Sequence, residues 1–435
     1  MRWPILHHVS RARTRALGSP TAAHPGVRST AMSLGRTHIG MHAMRTGASR
    51  LWIASILALG ACAGSSATQA PSERPASPES AAIDVPRELP RALGKRRVVA
   101  RGLLNPRGMQ LVSDGLLVAE AGTGDPANAH SGRLTKLVDS NGDGDYLDDG
   151  EKRVLLDGQP SKNILEIVRR DEVFGMAGMD HGVARGEPAT MVSLAFFGGP
   201  STLFAVRGDR VEPWGKTHGN INDVAFDPKR NKWFGASSTT DEVVELLEGN
   251  GSQRVLKLPT LASGQDAVPG YVRHDPVSND LLVSLFSGSP EGEEGGDGTE
   301  LVPRAASIVR VDPDRKTAAP FITGLTVPTD LEVDDAGAVY VLEFCDAFLD
   351  PVGAREAMAK PGHGGFRRYS GRLLRIDRAT GAVTVLAEQL DAPTNLARAP
   401  GGFFVAEGMG TPGRTIPTPN GDAALDGFIE LIEYP

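Results

Sequence analysis

The sequence predicts an all-β fold for residues 93–435, a six-bladed β-propeller closed by its N-terminal strand. Three observations carry this expectation. From about residue 97 the chain is a succession of short runs rich in Val, Leu, Ile and Phe, broken by Gly, Pro, Asn and Asp, with no long amphipathic helical stretch. One unit recurs at intervals of about 50 to 65 residues, which is blade spacing. The last copy stops one strand short of a four-stranded blade, and the run at 97–103, ahead of the first copy, can supply the missing strand.

The recurring unit is a Pro- or Asn-containing turn, an apolar strand, an Asp-Gly-like turn and a second apolar strand. Asn105-Pro106-Arg107-Gly108-Met109 leads through Ser113-Asp114-Gly115 to Leu116-Leu117-Val118-Ala119-Glu120. Asn220-Ile221-Asn222-Asp223-Val224 leads through Asp227-Pro228 to Trp233-Phe234, and Pro269-Gly270-Tyr271-Val272 through His274-Asp275-Pro276 to Leu281-Leu282-Val283. Pro328-Thr329-Asp330-Leu331 precedes Val339-Tyr340-Val341-Leu342-Glu343, and Pro393-Thr394-Asn395-Leu396 precedes Phe403-Phe404-Val405-Ala406-Glu407. A sixth, weaker copy starts at Lys162-Asn163-Ile164-Leu165. Each unit is a small sheet that cannot bury both faces alone, so the ring has to close.

Residues 1–61 hold eight arginines and no carboxylate, a bias that marks a targeting region. Met44-Arg45-Thr46-Gly47-Ala48-Ser49-Arg50, a short apolar run and then Leu59-Gly60-Ala61-Cys62 read as a cleaved signal, with translation starting between Met32 and Met44. The ending resembles a bacterial lipobox, which implies that Cys62 is acylated and becomes the new N-terminus. Residues 62–92, rich in Ala, Ser and Pro, are expected to form a disordered tether. The expected location is therefore outside the cytoplasm, lipid-anchored to a bacterial membrane, in the periplasm or on the cell surface. Beyond residue 61 the chain has 38 basic against 53 acidic residues, which argues against nucleic acid as a partner. Once Cys62 carries lipid, Cys345 is left as a lone thiol and is expected to be a buried small hydrophobe.

The phrases Gly102-Leu103-Leu104-Asn105-Pro106-Arg107-Gly108-Met109 and Leu117-Val118-Ala119-Glu120-Ala121-Gly122-Thr123-Gly124 resemble the ScyD/ScyE family of secreted propellers. Pro328-Thr329-Asp330-Leu331 with Val339-Tyr340-Val341-Leu342-Glu343-Phe344 is similar to the same family. That family sits in the wider TolB-like six-bladed group with NHL-repeat and SMP-30-type proteins. The resemblance implies the fold; it implies no particular chemistry.

Successive strands of a blade alternate in direction, so the connections alternate between the two faces of the ring. The longest insertions, 287–304, 346–370 and 408–426, each follow a second strand and gather on one face, as a binding mouth requires. Asn163, Asp223, Asp330 and Asn395 are expected at the starts of inner strands on that face, with Glu120, Glu343 and Glu407 ending the neighbouring strands and His218 in a nearby loop. Converging carboxylates and amides suit a second divalent metal or a polar ligand, and singly they also suit turn backbone groups. His130, His181, His218 and His363 show no zinc-ligand spacing.

The sharpest local motif is Asp139-Ser140-Asn141-Gly142-Asp143-Gly144-Asp145, followed by Asp148, Asp149 and Glu151. Oxygen ligands at alternate positions, with Gly144 for the tight bend, are what a calcium loop requires, although Gly150 stands where an EF-hand has its closing carboxylate. Asp139, Asn141, Asp143, Asp145, Asp149 and Glu151 are thus candidate ligands of a structural calcium on the face opposite the mouth. The acidic, Gly-rich stretch 291–298 is expected to be disordered. No nucleophile elbow, phosphate loop or dinucleotide fingerprint is present. The expected function is a monomeric module binding a small polar molecule, a glycan or a protein. The alternatives are an SMP-30-like metal-dependent lactonase and, less favoured, a quinone-dependent dehydrogenase.

Overall fold

Alternating strands of apolar residues need a cover on both faces, and the molecule supplies it by arranging its sheets radially. A computed structural model describes residues 81–164, 171–196, 198–261, 265–290, 303–346 and 367–435. The leader, Cys62, most of the expected tether, the stretch 291–298 and His363 lie outside the described residues.

Six antiparallel sheets follow one another along the chain. Blade 1 is built from Pro106–Val112, Gly115–Glu120, Gly132–Leu137 and Lys152–Gln159. Blade 2 has Met176–Ala184, Glu187–Leu194, Thr202–Arg207 and Arg210–Lys216; blade 3 has Asp223–Asp227, Lys232–Ser237, Glu242–Leu246 and Ser252–Lys257. Gln265–His274, Leu281–Pro290, Ala306–Asp312 and Thr317–Leu325 form blade 4, and Pro328–Val333, Val339–Glu343, Gly371–Ile376 and Val383–Leu390 form blade 5. Blade 6 takes Asn395–Ala399, Gly402–Glu407 and Gly427–Glu433 from the C-terminal end, and its outer strand is Arg96–Leu103. The expected closure is present: Arg97 pairs with Leu431 and Val98 with Glu430.

The apolar core is divided into wedges between neighbouring blades. Met109, Val118, Phe404 and Ile429 pack where blade 6 meets blade 1, and Leu117, Leu134, Met179 and Val192 where blade 1 meets blade 2. Four further clusters fill the remaining junctions. Second strands are buried on both faces, which is why Leu116, Leu117, Val118 and Ala119 form an uninterrupted apolar run.

Two expectations are corrected. The second blade does not begin at Lys162–Asn163, a short strand that pairs instead with Val173–Phe174 in a separate two-stranded ribbon. Its inner strand is Met176–Ala184, whose glycines conceal it from a search for branched apolar residues. Those glycines are needed because the next blade approaches closely: a Cβ at Gly178 would lie 2.0 Å from Asp223 Oδ1, and one at Gly182 would lie 2.3 Å from the Phe226 ring. The second correction is at the N-terminal end, where part of the expected tether, residues 83–92, pairs with the propeller. Ile83–Asp84 pairs in parallel with the outer strand of blade 4, and Ala92 and Gly94 donate to Val385 and Leu386 of blade 5. This strap covers two outer strands whose edges would otherwise be unpaired. Among the described residues no helix is long and apolar enough to cross a membrane.

Candidate functional site

With the blades arranged radially, inner strands border the axis and their side chains project from the sheet faces toward the neighbouring blades, so a polar side chain on an inner strand meets the next blade near the axis. Asp223 of blade 3, Asp330 of blade 5 and Asn395 of blade 6 are all fully buried there. Each carboxylate also joins its blade to the next. Asp223 Oδ2 accepts from Val272 N at 3.0 Å, and Asp330 Oδ2 accepts from Leu396 N at 2.9 Å and from Asn395 Nδ2 at 2.6 Å. Deeper in the channel Asp180 of blade 2 does the same, its Oδ2 accepting from Phe226 N at 2.8 Å.

The centre of this ring holds a cation that belongs to the chain. Arg273 of blade 4 ion-pairs with Asp223, with Asp330 at 3.2 Å and with Glu332 at 3.4 Å. Burial pushes Asp223, Asp330 and Glu332 up to about 7, against the pull of Arg273. Burial also raises Asp180. The guanidinium stands between the two aspartates where a bridging divalent ion would have to sit, so the residues present do not fit a resident metal at that point. Asp223 Oδ1 and Asn395 Oδ1 are buried with no protein hydrogen-bond partner, leaving acceptor capacity at the ring.

Nearer the mouth, Arg107 of blade 1 donates to Val173 O at 3.0 Å and to Glu172 at 3.3 Å. Asn163 lies in this layer and not on an inner strand. Its Nδ2 donates to Asp171 Oδ1 at 2.7 Å and to Thr411 Oγ1 at 2.9 Å, and Thr411 N also donates to Asp171 at 3.1 Å. Asn105 Oδ1 accepts from Gly410 N at 2.7 Å. The long insertion of blade 6 is thereby held against the connection between blades 1 and 2.

Glu120, Glu343 and Glu407 end second strands as expected, and each holds the turn that leads into its own blade. Leu104 N donates to Glu120 at 2.6 Å, Thr326 N to Glu343 at 2.6 Å and Asp391 N to Glu407 at 2.5 Å. The next residue in each turn, Asn105, Val327 or Ala392, has positive φ and precedes a proline. The carboxylate thus anchors a strained backbone. On the third strand, directly opposite, Arg133 faces Glu120 and Arg372 faces Glu343, both ion-paired. In blade 6 the opposite residue is Phe428, and Arg96 comes no closer to Glu407 than 4.0 Å. Burial, reinforced by Glu430, pushes Glu407 well above the usual carboxylate range.

His218 does not reach the channel. It lies exposed beyond the outer strand of blade 2, its Nδ1 3.1 Å from Ser252 O. The loop 139–151 connects the third and outer strands of blade 1. Asp139 accepts from Gly142 N and Gly144 N, Asn141 Oδ1 from Asp143 N, Asp143 Oδ1 from Asp145 N, and Asp145 Oδ1 from Leu147 N. Buried Glu151 accepts from Ser140 N and Asp148 N, while Asn141 Nδ2 donates to both Asp143 and Asp148. Among the described residues no three His, Cys, Asp or Glu side chains converge as a metal cluster. The loop is also tied to the closing strand, with Tyr146 N donating to Val99 O at 2.7 Å.

Arg273, Glu332, Asp180, Arg107 and Asp171 are channel and mouth residues that the turn motifs did not reveal. The pairs Tyr271/Arg273 and Asp330/Glu332, polar at a spacing of two within apolar strands, carried the signal for two of them, Arg273 and Glu332.

No family model and no curated protein matches the chain. Solved structures similar to it include a protein of unknown function from Bacteroides thetaiotaomicron, 13% identical with a TM-score of 0.45, over 78% of this chain and 73% of that one. The PQQ-bound aldose sugar dehydrogenase of Streptomyces coelicolor is 14% identical with a TM-score of 0.42, over 79% and 99%. A gluconolactonase from Xanthomonas campestris is 12% identical with a TM-score of 0.37, over 64% and 90%.

Proposed function

We propose that the chain is a ScyD/ScyE-like propeller, held outside the cytoplasm by lipid on Cys62, that serves as a binding module. Its ligand, a small polar molecule or a glycan, is taken on the face bearing the long insertions. The observation that carries this reading against the lactonase alternative is Arg273, which already ion-pairs with both aspartates that the hydrolase would need for its ion. The phrases that carry the family resemblance support the same side: Leu104-Asn105-Pro106 and Glu120 build a turn anchor, which is architecture and not chemistry.

The loop 139–151 belongs to this proposal as a structural calcium site. Its donor set is of hard oxygens, and Asp143 and Asp148 already reach one common atom, Asn141 Nδ2. Calcium there would stiffen a loop that packs on the closing strand.

Metal analysis of the purified protein after mild chelation tests the choice between module and hydrolase. The expected result is calcium only, lost in Asp143→Ala and retained in Asp330→Ala; a tightly held ion that disappears with Asp330→Ala would establish the hydrolase instead. For the anchor, Cys62→Ala is expected to move the protein from the membrane fraction to the soluble one. A palmitate label persisting in that variant would exclude lipidation at Cys62.

A further inference from the structure

Off the channel axis, a cavity of about 600 Å³ opens where the N-terminal strap crosses blade 5. Its walls come from two parts of the chain. Arg87 and Arg91 belong to the strap, while Arg367 and Tyr369 end the 346–370 insertion and Arg372 follows on the third strand of blade 5. Four guanidiniums and three carboxylates, Glu88, Asp346 and Glu388, line the cavity, so the basic groups are in slight excess there although the chain as a whole is acidic.

Their present partners leave most of their donors free. Arg91 bonds Glu388 through Nε, Arg367 bonds Asp346 through Nη2, and Arg372 bonds Glu343 from the cavity's rear through Nε. The Arg91 and Arg367 pairs are solvent-exposed, with the arginine side chains 64% and 45% accessible, so they contribute little and rearrange cheaply. A guanidinium has a planar fork of N–H groups suited to bidentate recognition of a carboxylate. Two non-glycine residues on the wall hold positive φ, Tyr369 at 54° and Gln389 at 61°. Backbone strain of this kind gathers at ligand sites. The volume suits a ligand the size of a sugar, and the Tyr369 ring with the Ser370 hydroxyl and the Gln389 amide offers a surface for its ring and hydroxyls.

We infer that this cavity binds a carboxylate-bearing sugar, a hexuronate, either free or at the end of an acidic glycan. This assignment rests on the module function proposed above and gives it a ligand class. The carboxylate bridges strap arginine to blade arginine, so binding also fastens the strap to the rim of blade 5.

Calorimetric titration of the full mature chain with glucuronate, glucose and polygalacturonate tests this, alongside amide exchange at Ala92 and Gly94. Glucuronate or polygalacturonate is expected to bind at least about ten-fold more tightly than glucose. Arg87→Ala and Arg367→Ala should each weaken the acid ligand about five-fold or more with the melting temperature unchanged. Ligand should slow exchange at both amides. Binding of glucuronate identifies a free acid as sufficient, whereas binding of polygalacturonate alone assigns the acidic glycan. Equal affinity for glucose, indifference to both arginine variants, or no binding of either acid would overturn the assignment. Glycan binding that ignores the arginines would remove this site and keep the module, while a metal ion dependent on Asp330 would remove the module and leave this site standing.

Discussion

Three buried glutamates show how one residue type divides its labour. Glu120 and Glu343 each accept a turn N–H and face an arginine across the sheet, so their charge is both hydrogen-bonded and paired. Glu407 accepts the same kind of N–H but faces Phe428, and its other oxygen has no hydrogen-bond partner, Arg96 standing 4.0 Å away. The contrast makes Arg133 a direct test. Removing it by Arg133→Ala leaves the Glu120 charge buried and unpaired, which is expected to cost about 2–3 kcal/mol once the partial exposure of the arginine is discounted. Adding Glu120→Gln should recover part of that loss, because the amide oxygen still accepts from Leu104 N with no charge to desolvate. Denaturant unfolding measures both variants. A double variant as unstable as the single one would show that the Glu120–Arg133 pair does not hold the turn.

At the scale of strands and turns, much was legible because the repeated unit records a mechanical need. Pro-preceded turns ending opposite a Glu recur since each blade must bend sharply from its predecessor and anchor that bend, and both halves of the device are visible in sequence around 105–120, 327–343 and 392–407. The closing strand was legible for a similar reason: a blade with three strands demands a fourth, and the apolar run 97–103 directly precedes the first copy. Blade 2 was misplaced because close approach to Asp223 and Phe226 selects glycine where branched residues were sought. Asn163 fell with it, since its position was inferred from that misplaced copy, and it serves the mouth through Asp171 and Thr411. The strap was hidden for another reason. Its contacts are backbone hydrogen bonds at the edges of blades 4 and 5, which a composition rich in Ala and Pro does not announce. The aspartates of the ring were found, but their partner Arg273 was not: its spacing of two from Tyr271 marks a polar position in an apolar strand, and nothing local says that it reaches carboxylates of other blades.

For the whole ring, those aspartates set a dependence on pH that runs opposite to common acid denaturation. Asp223, Asp330 and Glu332 carry folded-state values of about 7, above those of an unfolded carboxylate, chiefly through burial. They face Arg273 at their centre, Asp180 from blade 2 and Tyr271 from blade 4, with Arg398 of blade 6 acting on Glu332. Between the two sets of values the folded chain binds more protons than the unfolded one, so stability falls as pH rises. The contribution is fully present below about pH 4, shrinks as pH climbs, and is gone above about pH 7. Other carboxylates with depressed values, such as Asp275 beside Arg378, pull the other way only at lower pH, as they near their own protonation. Between pH 8 and pH 5.5 the ring should therefore dominate, and acidification is expected to raise the melting temperature. Glu332→Gln removes one titrating charge that faces Arg273 and Asp180, so it should flatten the slope and narrow the gap between the two pH values. Scanning calorimetry of both proteins across this window decides the matter. A wild-type melting temperature that drops steadily on acidification, with Glu332→Gln following in parallel, would mean that the blades are not joined at the axis by carboxyls that take up protons.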